Sequence, residues 1–153
     1  MVIHKNKRGC IGGLVDWSDD DVELVPIDWL KPHEEIRKKN LSQLKDMTLR
    51  WNGYTKPLLV DQLTGAILDG HHRYNVGLDL ELKRLPVLKT DYMNDENVQV
   101  TVWPNSDMEN LTKQDVINMA LSGNLYPPKT SKHVLSNDIP PIFITLEELR
   151  KTQ

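Results

Sequence analysis

The segment Asp69-Gly70-His71-His72-Arg73 gathers a carboxylate, a glycine, two imidazoles and a guanidinium in consecutive positions. Ala66-Ile67-Leu68 before it reads as the end of a strand, and Tyr74 to Leu78 after it as a short helix, so the glycine falls at a strand-to-helix turn. Glycine there lets the backbone approach a ligand closely. The free N–H groups and positive end of the helix favour an anion, phosphate above all. Arg73 can grip oxygens bidentately, and Asp69 can hold a magnesium ion that bridges the same phosphates. The plainer alternative is a histidine-rich helix cap with Arg73 paired to a surface acid.

Other candidates lie elsewhere in the chain. Glu34 follows Pro32-His33 in the expected first turn of a helix beginning near His33 or Glu34, where the dipole favours an ionised carboxylate. A charge complement to that helix end is its ordinary reading, as a strand position is for Trp103. Lys129, Thr130, Ser131, Lys132 and His133 follow Pro127-Pro128, and Tyr126 to His133 reads as a stiff loop offering many donors to a polar ligand. A solvated loop is the alternative.

Several signatures are absent. There is no Walker A sequence and no GxSxG elbow, and His33-Glu34-Glu35-Ile36-Arg37 misses the HExxH zinc pattern because Arg37 stands where a second histidine is needed. On a helix the adjacent His71 and His72 diverge by about 100°, which argues against a shared metal. Cys10 is the single cysteine, so neither an internal disulfide nor a multi-cysteine zinc site can form.

The elements that must position these residues follow from periodicity and turn chemistry. Val22 to Ile27 alternates as a strand; Leu41, Leu44, Thr48 and Trp51 mark the inner face of a helix that Asn52-Gly53 stops. Pro57 to Asp61 and Ala66 to Asp69 form a hairpin about Gln62-Leu63-Thr64-Gly65, and Arg84 to Leu88 and Val98 to Trp103 read as further strands. Thr112-Lys113-Gln114-Asp115 caps a helix that runs through Leu121 to Gly123, and Thr145 with Glu148 predicts a capping box for a short last helix. Residues 1–21, with a basic start, small residues and Asp19-Asp20-Asp21, read as a flexible tail, with one docking patch at Leu14 to Trp17.

With 153 residues, 39% hydrophobic and 27% charged, the chain fits one domain over residues 22–153. Its net charge of -3 supplies no global field for nucleic acid. No apolar run is long enough for a membrane span, and no signal peptide opens the chain; with one cysteine this points to the cytoplasm.

Taken together, Leu30-Lys31-Pro32-His33-Glu34-Glu35, Ile67-Leu68-Asp69-Gly70-His71-His72-Arg73-Tyr74, Val102-Trp103 and Pro128-Lys129-Thr130-Ser131-Lys132-His133 resemble, in this order, the ParB/sulfiredoxin-like superfamily and, within it, the free L-serine kinases. The resemblance spans Val22 to Leu149. It implies an α+β domain, a small mixed sheet flanked by helices, that transfers a phosphoryl group from ADP or ATP to the hydroxyl of free L-serine. By the same resemblance Glu34 is the catalytic glutamate and Asp69 the magnesium ligand; Gly70, His71, His72 and Arg73 cradle the donor phosphates. Trp103, Ser131 and His133 then line the serine pocket, His133 holding the carboxylate as a cationic or neutral imidazole, with Lys129 and Thr130 as the supporting loop.

Two departures stand out. The segment between Trp103 and Pro128 is shorter than in the best-known members, and Thr130-Ser131-Lys132 stands where two threonines and an arginine are common. Among the cousins, sulfiredoxins need a cysteine where this chain has His71, and ParB partition proteins continue into helix-turn-helix segments. The competing reading is a non-catalytic ParB-like nucleotide-binding regulatory module, which would not need Glu34 or the His133 loop. Donor choice, serine against a serine analogue, pathway and oligomeric state are open at this level.

Overall fold

The structure is a computed structural model and describes residues 17–152. The proposed docking patch and tail therefore fall largely outside the described residues; within them, Asp19–Asp21 form one 3-10 turn and Trp17 packs on the hydrophobic core.

The central sheet has four strands: β1 (Glu23–Pro26), β5 (Arg84–Thr90), β3 (Leu58–Asp61) and β4 (Ile67–Asp69), in that spatial order. β5 runs antiparallel to β1 and parallel to β3, with Val87 facing both Glu23 and Leu58, while β4 closes the hairpin on β3. This is the expected small mixed sheet. All four residues of β3 are buried because both sheet faces are covered. Leu58, Val60, Ile67, Leu85 and Val87 enter one hydrophobic cluster with Val76, Leu146 and Leu149; Leu59, Leu68 and Leu88 enter the other with Tyr92, Val98, Val116 and Ile117. The alternation along β3 thus joins two cores through one strand.

Two helices cover the first face. α1 (Lys38–Trp51) ends at Asn52, which adopts the left-handed conformation (φ 60°) that the Asn52-Gly53 stop predicts. α2 (His71–Asp79) crosses from β4 back to β5 and packs against α1. On the second face, α3 (Lys113–Ser122) has the expected capping box: Thr112 Oγ1 accepts from the Asp115 amide at 3.1 Å, and Asp115 Oδ2 accepts from the Thr112 amide at 2.9 Å.

Two small ladders complete the fold. β2 (Gly53–Tyr54) pairs with β8 (Ile144–Thr145), which leads into the short helix α4 (Leu146–Leu149). β6 (Val98–Val102) pairs antiparallel with β7 (Ser131–Leu135).

Three local expectations are corrected. The helix does not begin at His33 or Glu34 but at Lys38, and residues 33–37 are extended: Glu34 bridges Tyr126, whose amide donates to the His33 carbonyl and whose carbonyl accepts from the Glu35 amide, both at 2.8 Å. Residues 126–133 are not wholly a loop, since Ser131 onward is strand. At Thr145 the capping is one-sided: Oγ1 accepts from the Glu148 amide, but the Glu148 carboxylate turns to Arg84 at 3.0 Å.

Candidate active site

A cleft of about 310 Å³ opens where β4 passes into α2, and Glu34, Asp69, Gly70, His71, His72, Arg73, Trp103, Lys129, Ser131 and His133 all line it. Segments far apart in sequence therefore meet in one place. Of the residues singled out, only Thr130 turns away; it is 4% exposed, and its hydroxyl donates to the Pro127 carbonyl at 2.7 Å, bracing the loop from behind.

Gly70 shapes one wall. Its φ of 115° is unfavourable for other residues, and a Cβ there would lie 2.8 Å from Leu58 Cγ. The turn delivers the chain into α2 with the first-turn amides of His71, His72 and Arg73 lacking intrahelical acceptors. Arg73 folds back onto the turn: Nη2 donates to Asp69 Oδ2 at 3.2 Å and to the Pro57 carbonyl at 3.3 Å, while Tyr54 donates its hydroxyl to the Arg73 carbonyl at 2.6 Å. Its guanidinium thus braces Asp69 at the end of β4.

The two adjacent histidines behave in a way their spacing conceals. His71 Nε2 accepts from the His33 amide at 3.1 Å, and His72 Nε2 accepts from the Arg37 amide at 3.3 Å. An accepting Nε2 carries no proton, so both rings are held as neutral tautomers protonated at Nδ1. They clip the extended segment 33–37 to the start of α2 at both ends. Burial, assisted by the neighbouring His33, His133 and His72, pushes His71 well below its ordinary value; burial, Lys129 and Arg73 lower His72. Neutral rings are what these hydrogen bonds require.

That segment presents Glu34 to the opposite wall. Glu34 Oε1 accepts from the amide of Ser131 at 2.8 Å and from its hydroxyl at 2.7 Å, and Oε2 accepts from the Lys129 amide at 3.1 Å. Lys129 adopts the left-handed conformation (φ 61°), which turns its amide toward the carboxylate. The expected helix-dipole setting of Glu34 is replaced by this three-donor loop.

His33 is the residue that sequence reasoning missed. It is fully buried, and its Nε2 lies 3.0 Å from Ser131 Oγ. Because a carboxylate only accepts, Ser131 gives its single proton to Glu34 and receives one from His33 Nε2–H. Glu34, Ser131 and His33 form one chain of hydrogen bonds. Burial lowers the His33 pKa to about 4. Its position directly before Glu34 is the available signal, which the helix start expected there conceals.

His133 also lines the cleft. Burial, with His33 and Lys113 nearby, lowers its pKa to about 3, so the ring is neutral at ordinary pH, and Nε2 lies 2.9 Å from the Tyr92 hydroxyl. Of the two states expected for it, the neutral one applies. Trp103 donates Nε1–H to the Ser131 carbonyl at 3.0 Å and carries Lys129 and Lys132 ammonium groups 4.7 and 4.9 Å from its ring centroid. Both lysines line the cleft.

Among the described residues, no group of three or more His, Cys, Asp or Glu side chains is arranged to hold a metal ion. At Asp69, Arg73 engages Oδ2 and no described residue hydrogen-bonds Oδ1, which is the oxygen this carboxylate could offer to a cation. No helix among the described residues is long and apolar enough to cross a membrane.

No family model matches the chain. Among curated proteins it is 36% identical over 86 residues to a ParB-like protein of Sulfolobus acidocaldarius, a stretch covering 56% of this chain and 42% of that one. It is 33% identical over 84 residues to an ATP-dependent L-serine kinase of Staphylothermus marinus, covering 52% of this chain and 33% of the relative. An ADP-dependent L-serine kinase of Thermococcus kodakarensis is 32% identical over 87 residues, covering 54% and 36%. The matched stretches span between a third and about two-fifths of these relatives.

Solved structures extend the likeness. A free serine kinase in complex with AMP superposes with a TM-score of 0.74 at 20% identity, covering 84% of this chain and 93% of that one. SbnI of Staphylococcus aureus, truncated at its C-terminus, gives 0.70 at 12% identity over 88% and 91%. The chain accordingly has the α+β fold seen in the free serine kinase structure, and about half of its sequence is similar to a ParB-like protein and to L-serine kinases.

Proposed function

We propose that the protein is a free L-serine kinase, transferring a phosphoryl group from ADP or ATP to the serine hydroxyl to give O-phospho-L-serine. The observation that carries this reading is the placement of Glu34 in one cleft with the start of α2: a carboxylate able to accept a proton shares about 310 Å³ with a helix end able to bind phosphate. The kinase names of the relatives and the AMP and ADP complexes of the structural neighbours support the same chemistry.

In this mechanism the donor phosphates lie against the Gly70 turn and the first-turn amides of α2, with Lys129 and Lys132 balancing their charge. Asp69 would hold magnesium, and the ion would supply positive charge to offset that of the transferring phosphoryl group. The acceptor serine lies between Trp103 and His133, whose neutral ring presents Nδ1 to its carboxylate. Its hydroxyl displaces that of Ser131 at Glu34 Oε1 and gives its proton there as the oxygen attacks phosphorus. His71 and His72 keep Glu34 in register for that exchange. The reading places the reaction in the cytoplasm, with free serine and an adenine nucleotide as the partners.

The test is incubation of the purified chain with magnesium, L-serine and either ADP or ATP, followed by phosphorus NMR. Appearance of O-phosphoserine, with AMP or ADP accumulating according to the donor, is the expected result. Nucleotide binding by calorimetry without phosphoserine from either donor would overturn the kinase reading in favour of a nucleotide-binding regulatory module, for which the ParB-like relative speaks.

A further inference from the structure

The Ser131 hydroxyl combines three properties found at no other described serine. It lies in the cleft, it hydrogen-bonds the proposed base Glu34 at 2.7 Å, and a second hydrogen-bond partner, His33 Nε2–H, lies 3.0 Å away. His33 in turn touches the phosphate-binding end of α2, its amide bonded to His71 Nε2 at 3.1 Å and its ring centroid 4.6 Å from that of His71. Only the width of an imidazole pair separates Ser131 from the donor wall. Chemically, the hydroxyl of a seryl residue and that of free serine are the same primary alcohol, and the ester each forms with phosphate is of the same kind.

We infer that Ser131 is itself a phosphoryl acceptor, modified by the chain's own bound nucleotide when no free serine fills the pocket. The inference rests on the kinase reading. In the step, Ser131 Oγ attacks the terminal phosphorus of the bound ATP or ADP, the new Oγ–P bond forms, and the bridging P–O bond breaks. The proton of Oγ passes to Glu34, and ADP or AMP leaves with the electron pair of the broken bond.

The product has a defined consequence. A phosphate on Ser131 occupies the place of the acceptor hydroxyl and sets its negative charge against the Glu34 carboxylate, while the Lys129 and Lys132 ammonium groups over Trp103 are cations in the same cleft. The modified chain is closed to serine. Free serine, by taking the hydrogen bond to Glu34, protects Ser131.

The experiment uses the full chain in two tubes with magnesium and ATP, and two with magnesium and ADP, one of each pair also holding excess L-serine. Intact-mass spectrometry reads the protein and phosphorus NMR reads the small molecules. The expected result is addition of one phosphate per chain in the serine-free tube of the productive donor, mapped by peptide fragmentation to Ser131, and loss of that label when serine is present. Ser131→Ala loses the label as well, with its fold checked by circular dichroism.

Free O-phosphoserine in the tube holding serine, together with protein of unchanged mass in the serine-free tube, overturns the inference and leaves the kinase reading intact. Phosphate mapped to a residue other than Ser131 also overturns it. Neither product with either donor overturns both readings.

Discussion

Ser131 holds a single oxygen of Glu34 twice, through its amide at 2.8 Å and its hydroxyl at 2.7 Å. Base and loop are therefore one unit, and Glu34→Gln tests what the unit does. Removal of the proton acceptor should lower kcat by about 100- to 10,000-fold, with nucleotide affinity by calorimetry retained because the α2 amides are untouched. Equal loss of turnover and nucleotide affinity would show that Glu34 serves only to hold the cleft together.

Gly70→Ala should be costly for two separable reasons, a positive φ and a Cβ 2.8 Å from Leu58 Cγ. Together these should lower stability by about 2 kcal/mol or more, read as a shift of the urea midpoint. Displacement of the α2 start should also weaken nucleotide binding. A variant with wild-type stability and affinity would remove the turn from the donor site.

His133→Ala should raise the KM for serine while leaving the KM for nucleotide close to its wild-type value, since the ring is hydrogen-bonded to the Tyr92 hydroxyl and not to the α2 amides. An unchanged serine KM would take His133 out of the acceptor pocket.

Stability should fall on acidification. His33 and His133 have folded pKa values lowered to about 4 and about 3 from 6.5, and His71 shifts in the same direction. Their neutral forms are favoured by folding, so the contribution is complete above the unfolded value near 6.5 and is lost as pH falls toward the folded values. Each fully coupled histidine adds up to about 1.4 kcal/mol per pH unit within that window. Urea melts from pH 7.5 to 4.5 should show the midpoint dropping below pH 6.5, and a flat profile would contradict the buried, neutral cluster.

The legible part of the fold was local. Thr112 with Asp115, Asn52 with Gly53, and the Gln62 to Gly65 hairpin turn each declare their geometry within a few residues, and the structure follows them. The start of α1 was not local. Pro32 and the carboxylates after it imitate a helix N-terminus, but the backbone of residues 33–37 is claimed by Tyr126, His71 and His72, all distant in sequence. The same pairing explains the site: which residues gather could be read from motif order, whereas the inward use of His71, His72 and Arg73 and the part played by His33 depend on contacts that no spacing encodes.

The pairing of β6 with β7 sets His133 opposite Val100 and Ser131 opposite Val102, so two cleft residues sit two positions apart on one strand. Alternation makes their shared orientation a matter of parity. An insertion or deletion of one residue between Tyr126, tied to segment 33–37, and Ser131 would have to be absorbed by a bulge, or it would turn Ser131 and His133 to the opposite face of the β6–β7 ladder, away from Glu34 and Tyr92. Length can drift in residues 104–111, which no helix or strand constrains, but across residues 126–133 the chain can tolerate substitution far more readily than a change in length.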